Sequence, residues 1–211
     1  MIFFMRILAF SDLHGDEAAF ESLKSLADGY DHVFGCGDFS HSASFAEEVM
    51  DLPNCFYIPG NWDDARVSEL LSSGPRSVHG KRVELGEGLN AVGFGYGTPS
   101  PFGTYGERTE AEFLSSLSGL PIDADTLLLL HCPPKGYFDE VRGGLHAGSE
   151  SILEVINAKK PLAAFFGHIH EHSGVQALGP TTLVKLPPAN EMRACSVEIR
   201  GRKLSAEFIS L

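Results

Sequence analysis

Five short apolar segments are spread over most of the 211-residue chain, and each one ends in a turn that carries polar side chains. The segments are rich in β-branched and aromatic residues, which is typical of buried strands. Stretches with helical periodicity lie between them, so the chain is predicted to alternate strands and helices. Strands in such an order would deliver the polar side chains to one edge of a sheet. The segments are ILAFSDLHGD, HVFGCGDF, CFYIPGNWDD, TLLLLHCPP and LAAFFGHIHE.

The rest of the pattern also favours an α/β fold. Asp16 and Ser149 stand where helix N-caps are expected, and two lysines end the last predicted helix, where they suit the helix dipole. Paired runs around glycine-rich turns at 77–97 predict an antiparallel meander, and residues 195–211 predict two strands joined by a turn. The predicted helices cover residues 16–28, 44–51, 64–73, 109–119 and 149–160.

Composition predicts one globular domain over residues 1–211, because 43% of the residues are hydrophobic and no linker, repeat or low-complexity tract is present. The 16 basic and 28 acidic residues give a net charge of −12. Such a surface repels nucleic-acid backbones and anionic lipid, so neither a long nucleic acid nor a membrane is an expected partner. Two bound divalent cations would reverse the potential inside a cleft, however.

The four cysteines show neither a C-x-x-C pair nor the spacing of a disulfide framework, which favours a reduced, cytoplasmic location. Cys36 and Cys132 stand beside candidate metal ligands. Each is either a soft metal ligand or a small buried thiol, and the apolar segments around them favour the thiol. The first residues, MIFFMRILAFSD, are too short an apolar run to span a bilayer and are expected to form the first strand.

Seven polar residues at the ends of the five segments form an ordered set that favours a binuclear metal site. Carboxylate and imidazole groups are ligands for divalent ions such as Mn²⁺, Fe²⁺ and Zn²⁺. The glycines around Asp38 give its carboxylate the close backbone setting that a bridge between two metals requires. Taken singly, each residue also has an ordinary explanation as a helix cap, a turn residue or a hydrogen-bonded histidine. The seven residues are Asp12, His14, Asp38, Asn61, His131, His168 and His170.

The order of these residues resembles that of the calcineurin-like metallophosphoesterases, and the segments GDFS, HCPP and FGHIHE look most like the small phosphodiesterase branch of that family. The motifs that carry the resemblance are Asp12-Leu13-His14, Gly37-Asp38, Gly60-Asn61 with Asp63, His131, and Gly167-His168-Ile169-His170. The resemblance implies a set of metal ligands. These would be Asp12, His14 and His170 for one metal, Asn61, His131 and His168 for the other, and Asp38 as the bridge.

The resemblance also implies a fold and a reaction. The fold would be a four-layer αββα sandwich, in which two mixed β-sheets pack face to face between layers of helices. Two divalent ions, of manganese, iron or zinc, would hold a bridging hydroxide that attacks a phosphoester. Asp38, Asn61 and His131 are therefore expected to be catalytic as well as metal-binding.

The sequence departs from the family pattern at Trp62, because many members have a histidine directly after the motif asparagine. That histidine is thought to protonate the leaving group or to hold the phosphate, so its absence favours phosphodiesters over unactivated monoesters. His41 and His146 are candidate substitutes, and together with Asn61 and Trp62 they are the candidate substrate-binding residues. The Trp62 indole either packs under the strand edge or stacks on a base or aryl group of the substrate.

Two other features are open to interpretation. Asp63 and Asp64 are interpreted as helix-start residues, because acidic side chains in a first turn stabilise the helix dipole. Residues 131–148 form the longest stretch without a regular pattern. That stretch is either a wall of a substrate cleft or a plain surface excursion.

Three classes of function follow from these observations. The favoured one is a metal-dependent phosphodiesterase that acts on a small or nucleotide-like ester. The second is a phosphomonoesterase or a nuclease that uses the same metals. The third is a non-catalytic, metal-binding scaffold. The retention of all seven candidate ligands favours an enzyme over the scaffold.

Overall fold

The structure, a computed structural model, describes residues 3–211. These residues form two large β-sheets and five α-helices. The helices are α1 Glu17–Ala27, α2 Ala43–Met50, α3 Ala65–Ser73, α4 Glu110–Ser118 and α5 Glu150–Lys159, and a short 3₁₀ turn spans Ala189–Glu191. The strands are β1 Phe4–Phe10, β2 His32–Cys36, β3 Cys55–Ile58, β4 Arg82–Gly86, β5 Leu89–Phe94, β6 Thr126–Leu130, β7 Glu140–Val141, β8 Leu145–His146, β9 Ala163–Phe166, β10 Gly174–Leu178, β11 Thr181–Lys185, β12 Arg193–Arg200 and β13 Lys203–Ser210.

Both large sheets are mixed. The first has the strand order β13-β12-β1-β2-β3, in which β1, β2 and β3 are parallel, β12 is antiparallel to β1, and β13 is antiparallel to β12. The second has the order β10-β11-β9-β6-β5-β4, with four parallel strands between the antiparallel edge strands β10 and β4. The short strands β7 and β8 form a separate hairpin.

Three apolar cores separate the layers. Ile7 of β1 lies in a core between the two sheets, together with Leu127 and Phe165 of the second sheet. Its neighbour Leu8 points to the opposite face of β1 and packs in a second core with residues of α1, α2 and α3. A third core joins the second sheet to α4 and α5. Because three cores separate four layers, the predicted αββα sandwich is confirmed.

The predicted helices all exist, and their ends differ from the predicted ones by at most one residue. The Asp16 side chain accepts a hydrogen bond from Ala19 N, and the Ser149 hydroxyl accepts one from Ile152 N, so both predicted N-caps are confirmed. The predicted hairpin near the end of the chain is formed by β12 and β13. None of the helices within residues 3–211 combines the length and apolarity needed to cross a bilayer.

The predicted meander at 77–97 is only partly correct. Residues 82–94 do form an antiparallel hairpin of β4 and β5, but β5 also pairs in parallel with β6. Every residue of β5 is buried, as expected for a strand inside a sheet that is covered on both faces. Such a strand carries no polar and apolar alternation, so the sequence could not show its second neighbour.

The sandwich brings the carboxyl ends of strands from both sheets to one end of the molecule. The Nδ1 atom of His131, directly after β6, lies 2.7 Å from the carbonyl oxygen of Cys36 at the end of β2. The backbone N–H of His168, after β9, donates to Asp12 Oδ2, after β1, over 3.1 Å. Polar turns from the two sheets therefore face each other across this end.

Candidate metal centre

The turns at this end bring six acidic and imidazole side chains and one amide close together. The ligating atoms of Asp12, His14 and His170 lie within 4.8 Å of one another, and so do those of Asp12, Asp38 and His131. Asn61 and His168 lie beside His131 rather than within either group. The predicted set of seven residues thus occupies one site, although their separation in the chain is large.

Asp12 lies at the centre of the first group. Its Oδ1 is 3.3 Å from His170 Nε2 and 3.9 Å from His14 Nε2. That oxygen is completely buried and accepts no hydrogen bond. A buried carboxylate oxygen without a partner carries a large desolvation cost, which a bound cation would offset. This orphaned oxygen, with two imidazole nitrogens beside it, fits a divalent metal.

Asp38 lies between the two groups. Its Oδ2 is 3.9 Å from His14 Nε2 and 3.3 Å from His131 Nε2. Its Oδ1 accepts a hydrogen bond of 2.8 Å from the backbone N–H of Trp62, which fixes the orientation of the carboxylate. One oxygen thus faces imidazoles that the family resemblance assigns to different metals, which is the position that a bridging ligand requires.

His131 and Asn61 are each oriented by a second partner. The Nδ1–H of His131 donates to Cys36 O, so Nε2 faces Asp38 and the Asn61 amide oxygen, which is 2.9 Å away. The Asn61 amide nitrogen donates to Thr104 Oγ1, which aims its oxygen at the site. Partners of this kind commonly fix the tautomer and direction of metal-binding side chains.

Burial and neighbouring charges shift the pKa values of several candidate ligands. Burial opposes protonation of His131, yet the Asp38 carboxylate beside it raises its pKa to about 9. Burial and the charge on His131 lower the pKa of His168 to about 4. The pKa of Asp12 is held well below its usual value, because His170, His131 and Lys185 outweigh the effect of its burial.

Four of the predicted ligands have left-handed backbone conformations that non-glycine residues rarely adopt. These are Asp12 (φ 59°), His14 (φ 49°), Asp38 (φ 56°) and His168 (φ 73°). Each such conformation costs about 1–3 kcal/mol and persists only where neighbouring structure holds it. Hydrogen bonds from Asp12 N to Gly37 O and from His14 N to Asp38 O, both 3.0 Å long, hold the first three, and the bond from His168 N to Asp12 Oδ2 holds the fourth.

Asp63 has a role that the sequence interpretation missed. The interpretation as a helix-start residue holds for Asp64, whose carboxylate accepts from Val67 N as the N-cap of α3. Asp63 instead is fully buried and accepts hydrogen bonds from the backbone N–H groups of Gly60, Asp38, Phe39 and Ser40. Burial and the nearby Asp38 raise its pKa to about 7. Only one of two adjacent aspartates can be the N-cap of a helix. The sequence therefore indicated that the other aspartate had a different role.

Lys185 is a second buried charge that the sequence did not single out. It ends β11 with no exposed surface, and its ammonium group donates to Leu186 O over 2.8 Å. Burial lowers its pKa to about 8, against the opposing effect of Asp12. A lysine within the apolar run TTLVKLPP was the signal available in the sequence. Its positive charge lies on the inner side of the site, near the Asp12 carboxylate.

The cleft above Asp38 contains two of the candidate substrate-binding residues. A cavity of about 350 Å³ is lined by His14, Asp38, Ser40, His41 and Trp62. The His41 and Trp62 rings are stacked, with centroids 6.0 Å apart and planes at 18°. The Trp62 side chain is 42% exposed, so the indole does not pack under the strand edge.

His146 is placed elsewhere. It belongs to β8, and its Nδ1 lies 2.7 Å from Asp139 Oδ1. Within the described residues it does not line the cavity above Asp38. The long segment 131–148 that carries it holds the β7–β8 hairpin, so it is not irregular throughout. The expectation that His146 contacts the substrate gains no support from this position.

The cysteines beside the ligands are buried thiols. Cys36 and Cys132 are both free and fully buried. The Cys36 sulfur is 3.9 Å from Phe165 O, and burial raises the pKa of this thiol well above its usual value. Burial also raises the pKa of Cys132 to about 12. Protonated thiols are poor metal ligands, so the buried-thiol interpretation is the better one.

Removal of metal is expected to destabilise this end of the sandwich. Asp12 and Asp38 are buried carboxylates that a cation would neutralise. At a free metal concentration of 100 times its Kd, one bound ion adds about 2.7 kcal/mol to the free energy of unfolding. Calorimetry of chelator-treated protein with and without added Mn²⁺ measures this as a rise in Tm. An equal rise in an Asp12→Asn variant would show that the ion binds elsewhere.

Comparisons with known proteins agree with this geometry. The chain matches the model of the calcineurin-like phosphoesterase superfamily domain over residues 5–186. An uncharacterized protein of Methanocaldococcus jannaschii is 28% identical over 200 residues, which cover 89% of this chain and 90% of the relative.

Solved structures share the fold at low identity. A structure described as a novel archaeal phosphodiesterase superposes with a TM-score of 0.58 and 13% identity, covering 97% of this chain and 100% of that one. The purple acid phosphatase PPD1 of yellow lupin superposes with a TM-score of 0.65 and 9% identity, covering 100% of this chain and 52% of that one. At these identities the two structures establish a shared fold alone.

The family match covers most of the sequence, and it spans all five motif segments from Asp12 to His170. The sheet order and the αββα layers agree with it. The resemblance inferred from the motifs is therefore confirmed, and the chain belongs to the calcineurin-like phosphoesterase superfamily.

Proposed function

We propose that this protein is a phosphodiesterase that uses two divalent metal ions to hydrolyse a small or nucleotide-like ester. Membership of a phosphoesterase superfamily supports a hydrolase. The observation that carries the finer proposal is the position of Asp38. Its Oδ2 lies between His14 Nε2 and His131 Nε2, at 3.9 and 3.3 Å. A carboxylate in this position can join two metal ions into one reactive centre.

Each residue of the centre has a defined task in this proposal. Asp12, His14 and His170 would hold one ion, Asn61, His131 and His168 the other, and Asp38 would contact both. The ions would be of manganese, iron or zinc, since the oxygen and nitrogen donors suit all three. Bound ions of this kind act as Lewis acids on phosphoryl oxygens and make water nucleophilic at neutral pH.

The protein contributes orientation and charge. Thr104 holds the Asn61 amide, and Cys36 O holds the His131 ring, so neither side chain has to reorganise when substrate binds. The Trp62 backbone N–H keeps the Asp38 carboxylate in its position. His14 and Asp38 also line the cavity, so a phosphoryl group that enters it lies directly against the proposed metal ligands.

Trp62 is the basis for favouring diesters. It occupies the position that a histidine has in many family members, and a proton donor there typically contributes 10²–10⁴-fold to the rate. Without that donor, unactivated monoesters are expected to be poor substrates. His41, stacked on the indole at the cavity, is the remaining candidate for leaving-group protonation. The shared fold does not choose between esters, since one neighbour is called a phosphodiesterase and another a phosphatase.

The proposed partner is a small phosphoester rather than a nucleic acid or a membrane. A net charge of −12 repels long polyanions, whereas a cation-bearing cleft attracts a small one. We also propose a cytoplasmic location, which the four free, buried cysteines support.

The direct test compares hydrolysis of a bis-aryl phosphodiester with that of the matching aryl monoester. Metal-stripped protein would be reconstituted with Mn²⁺, Fe²⁺ or Zn²⁺ and the metal content measured. We expect diester turnover that requires metal and exceeds monoester turnover. Protein that binds two ions but hydrolyses neither ester would contradict the proposal and favour a binding scaffold.

Trp62→His is expected to raise the ratio of monoester to diester kcat/KM by about tenfold or more, because it restores an imidazole beside the proposed site. The measurement is the pair of kcat/KM values in one metal-reconstituted preparation. Trp62→Phe is the matched control, since it also removes the indole but supplies no proton donor. An unchanged ratio, or equal losses on both esters, would count against the role assigned to this position.

A further inference from the structure

Two exposed aromatic rings stand beside the proposed metal centre. Trp62 is 42% exposed and Phe102 is 76% exposed, and their ring centroids are 6.4 Å apart at an angle of 46°. We call these two rings the aromatic wall. Tyr105, 53% exposed, lies on the same loop as Phe102. Exposed apolar side chains that form a contiguous patch commonly mark a site that binds a ligand or a partner.

The wall is fixed close to the metal ligands. The loop 98–108 that carries Phe102 is tied to Asn61 at two points, because Thr104 Oγ1 accepts from the Asn61 side chain and Gly106 N donates to Asn61 O. The Glu107 carboxylate holds the same loop closed by accepting from Ser100 Oγ and Thr104 N. The loop that carries Phe102 is therefore anchored to Asn61, a proposed metal ligand.

Trp62 links the wall to the site on its other side. Its ring meets the His14 imidazole edge-on, with centroids 6.2 Å apart. The His41 ring is stacked on the indole, with centroids 6.0 Å apart and planes at 18°. A ring that contacts Trp62 would therefore be separated from the His14 imidazole by one aromatic side chain. That separation matches a phosphoryl group and an attached ring in the same small molecule.

We propose that the aromatic wall binds a planar aromatic ring carried by the substrate, and that the enzyme is selective for ring-bearing phosphodiesters. The ring is either a nucleobase or an aryl group on the phosphate, since both stack on aromatic side chains. The proposal rests on the phosphodiesterase function above for its catalytic part. Binding of the ring can be measured without catalysis.

Trp62 is the only tryptophan in the chain, so its fluorescence reports directly on the wall. Phosphonates have no ester bond to hydrolyse and serve as stable probes. Phenylphosphonate and the phosphonate analogue of adenosine monophosphate carry a ring, while methylphosphonate does not. We expect ring-bearing probes to change the fluorescence of Mn²⁺-loaded protein at concentrations roughly 5- to 100-fold lower than methylphosphonate, as alanine-scanning values for stacking suggest. Comparing the Kd of the adenosine probe with that of phenylphosphonate shows whether the wall prefers a nucleobase or an aryl ring.

Phe102→Ala is expected to raise the Kd of the ring-bearing probes by roughly 5-fold or more, with a smaller effect on methylphosphonate. The same variant should lower the ratio of kcat/KM for an aryl diester to that for dimethyl phosphate. Phe4→Ala is the matched control, because Phe4 is also an exposed phenylalanine, 48% accessible, at the opposite end of β1 from Asp12. It should leave the probe affinities unchanged.

The outcomes separate this inference from the proposed function. Equal affinity for phenylphosphonate and methylphosphonate, or equal losses in Phe102→Ala and Phe4→Ala, would overturn the aromatic wall even if diesters are hydrolysed. Tight, Phe102-dependent binding of ring-bearing probes supports the wall. If no diester is hydrolysed in that case, the wall stands and the phosphodiesterase proposal fails.

Discussion

Asp38→Asn is expected to lower kcat/KM for a phosphodiester by about 10³-fold or more. Asp38 Oδ2 is the atom that faces the imidazoles of both proposed metal sites. Asparagine retains an acceptor for the Trp62 N–H but loses the charge and the second ligating oxygen. Losing one Lewis acid removes several kcal/mol of charge stabilisation, and each 1.36 kcal/mol corresponds to a factor of ten.

Metal content should fall together with activity. Elemental analysis of Asp38→Asn after dialysis is expected to give fewer bound ions than the unmodified protein. Asp123→Asn is the matched control, since that carboxylate also accepts several hydrogen bonds but lies beside the opposite end of β6 from His131. Full metal content and near-normal turnover in Asp38→Asn would refute the bridging role.

Asp63→Ala is expected to reduce the free energy of unfolding by about 3–5 kcal/mol, because it leaves buried N–H groups without acceptors. Those groups belong to Gly60, Asp38, Phe39 and Ser40, at distances of 2.7–3.2 Å from the carboxylate. The same carboxylate joins the turn after β2 to the turn after β3. Its loss should therefore also displace Asp38 and Asn61 and weaken metal binding.

Asp64→Ala provides an adjacent control. It removes the N-cap of α3, which costs about 1 kcal/mol, but leaves the turn of Asp38 untouched. Urea denaturation of both variants gives the free energy of unfolding, and metal titration gives the metal affinity. If Asp63→Ala does not fold, Asp63→Asn keeps the side-chain shape and can be titrated with metal instead. Metal affinity in Asp63→Asn equal to that of Asp64→Ala would show that Asp63 has no influence on the site.

Much of the candidate site was readable from local sequence. Asp12 and His14 follow an apolar strand segment, and so do Asp38 and His131, so strand prediction alone put these side chains at strand ends. The caps at Asp16 and Ser149 were readable for the same reason, since a helix start depends on a few consecutive residues. The mixed two-sheet packing came from the family resemblance and not from the periodicity.

Other features depended on contacts that no local pattern encodes. Asp63 and Asp64 are chemically identical neighbours, yet one holds the turn of Asp38, 25 positions away, and the other caps a helix. His146 has the chemistry of a site residue, and only the folded chain shows that its imidazole contacts the Asp139 carboxylate. No local sequence pattern distinguishes Phe102, because its contact with Trp62 depends on how two loops fold.

The sequence by itself determined the helices, most of the strands, the candidate metal ligands and the family, because each depends on short periods or on the identity and order of a few residues. Only the tertiary structure decided which strands became neighbours, how Asp12 came to carry an unpaired buried oxygen, and which rings stand beside the site. The physical reason is that these features arise where two sheets and their loops pack together, and packing between distant segments leaves no periodic trace in either one.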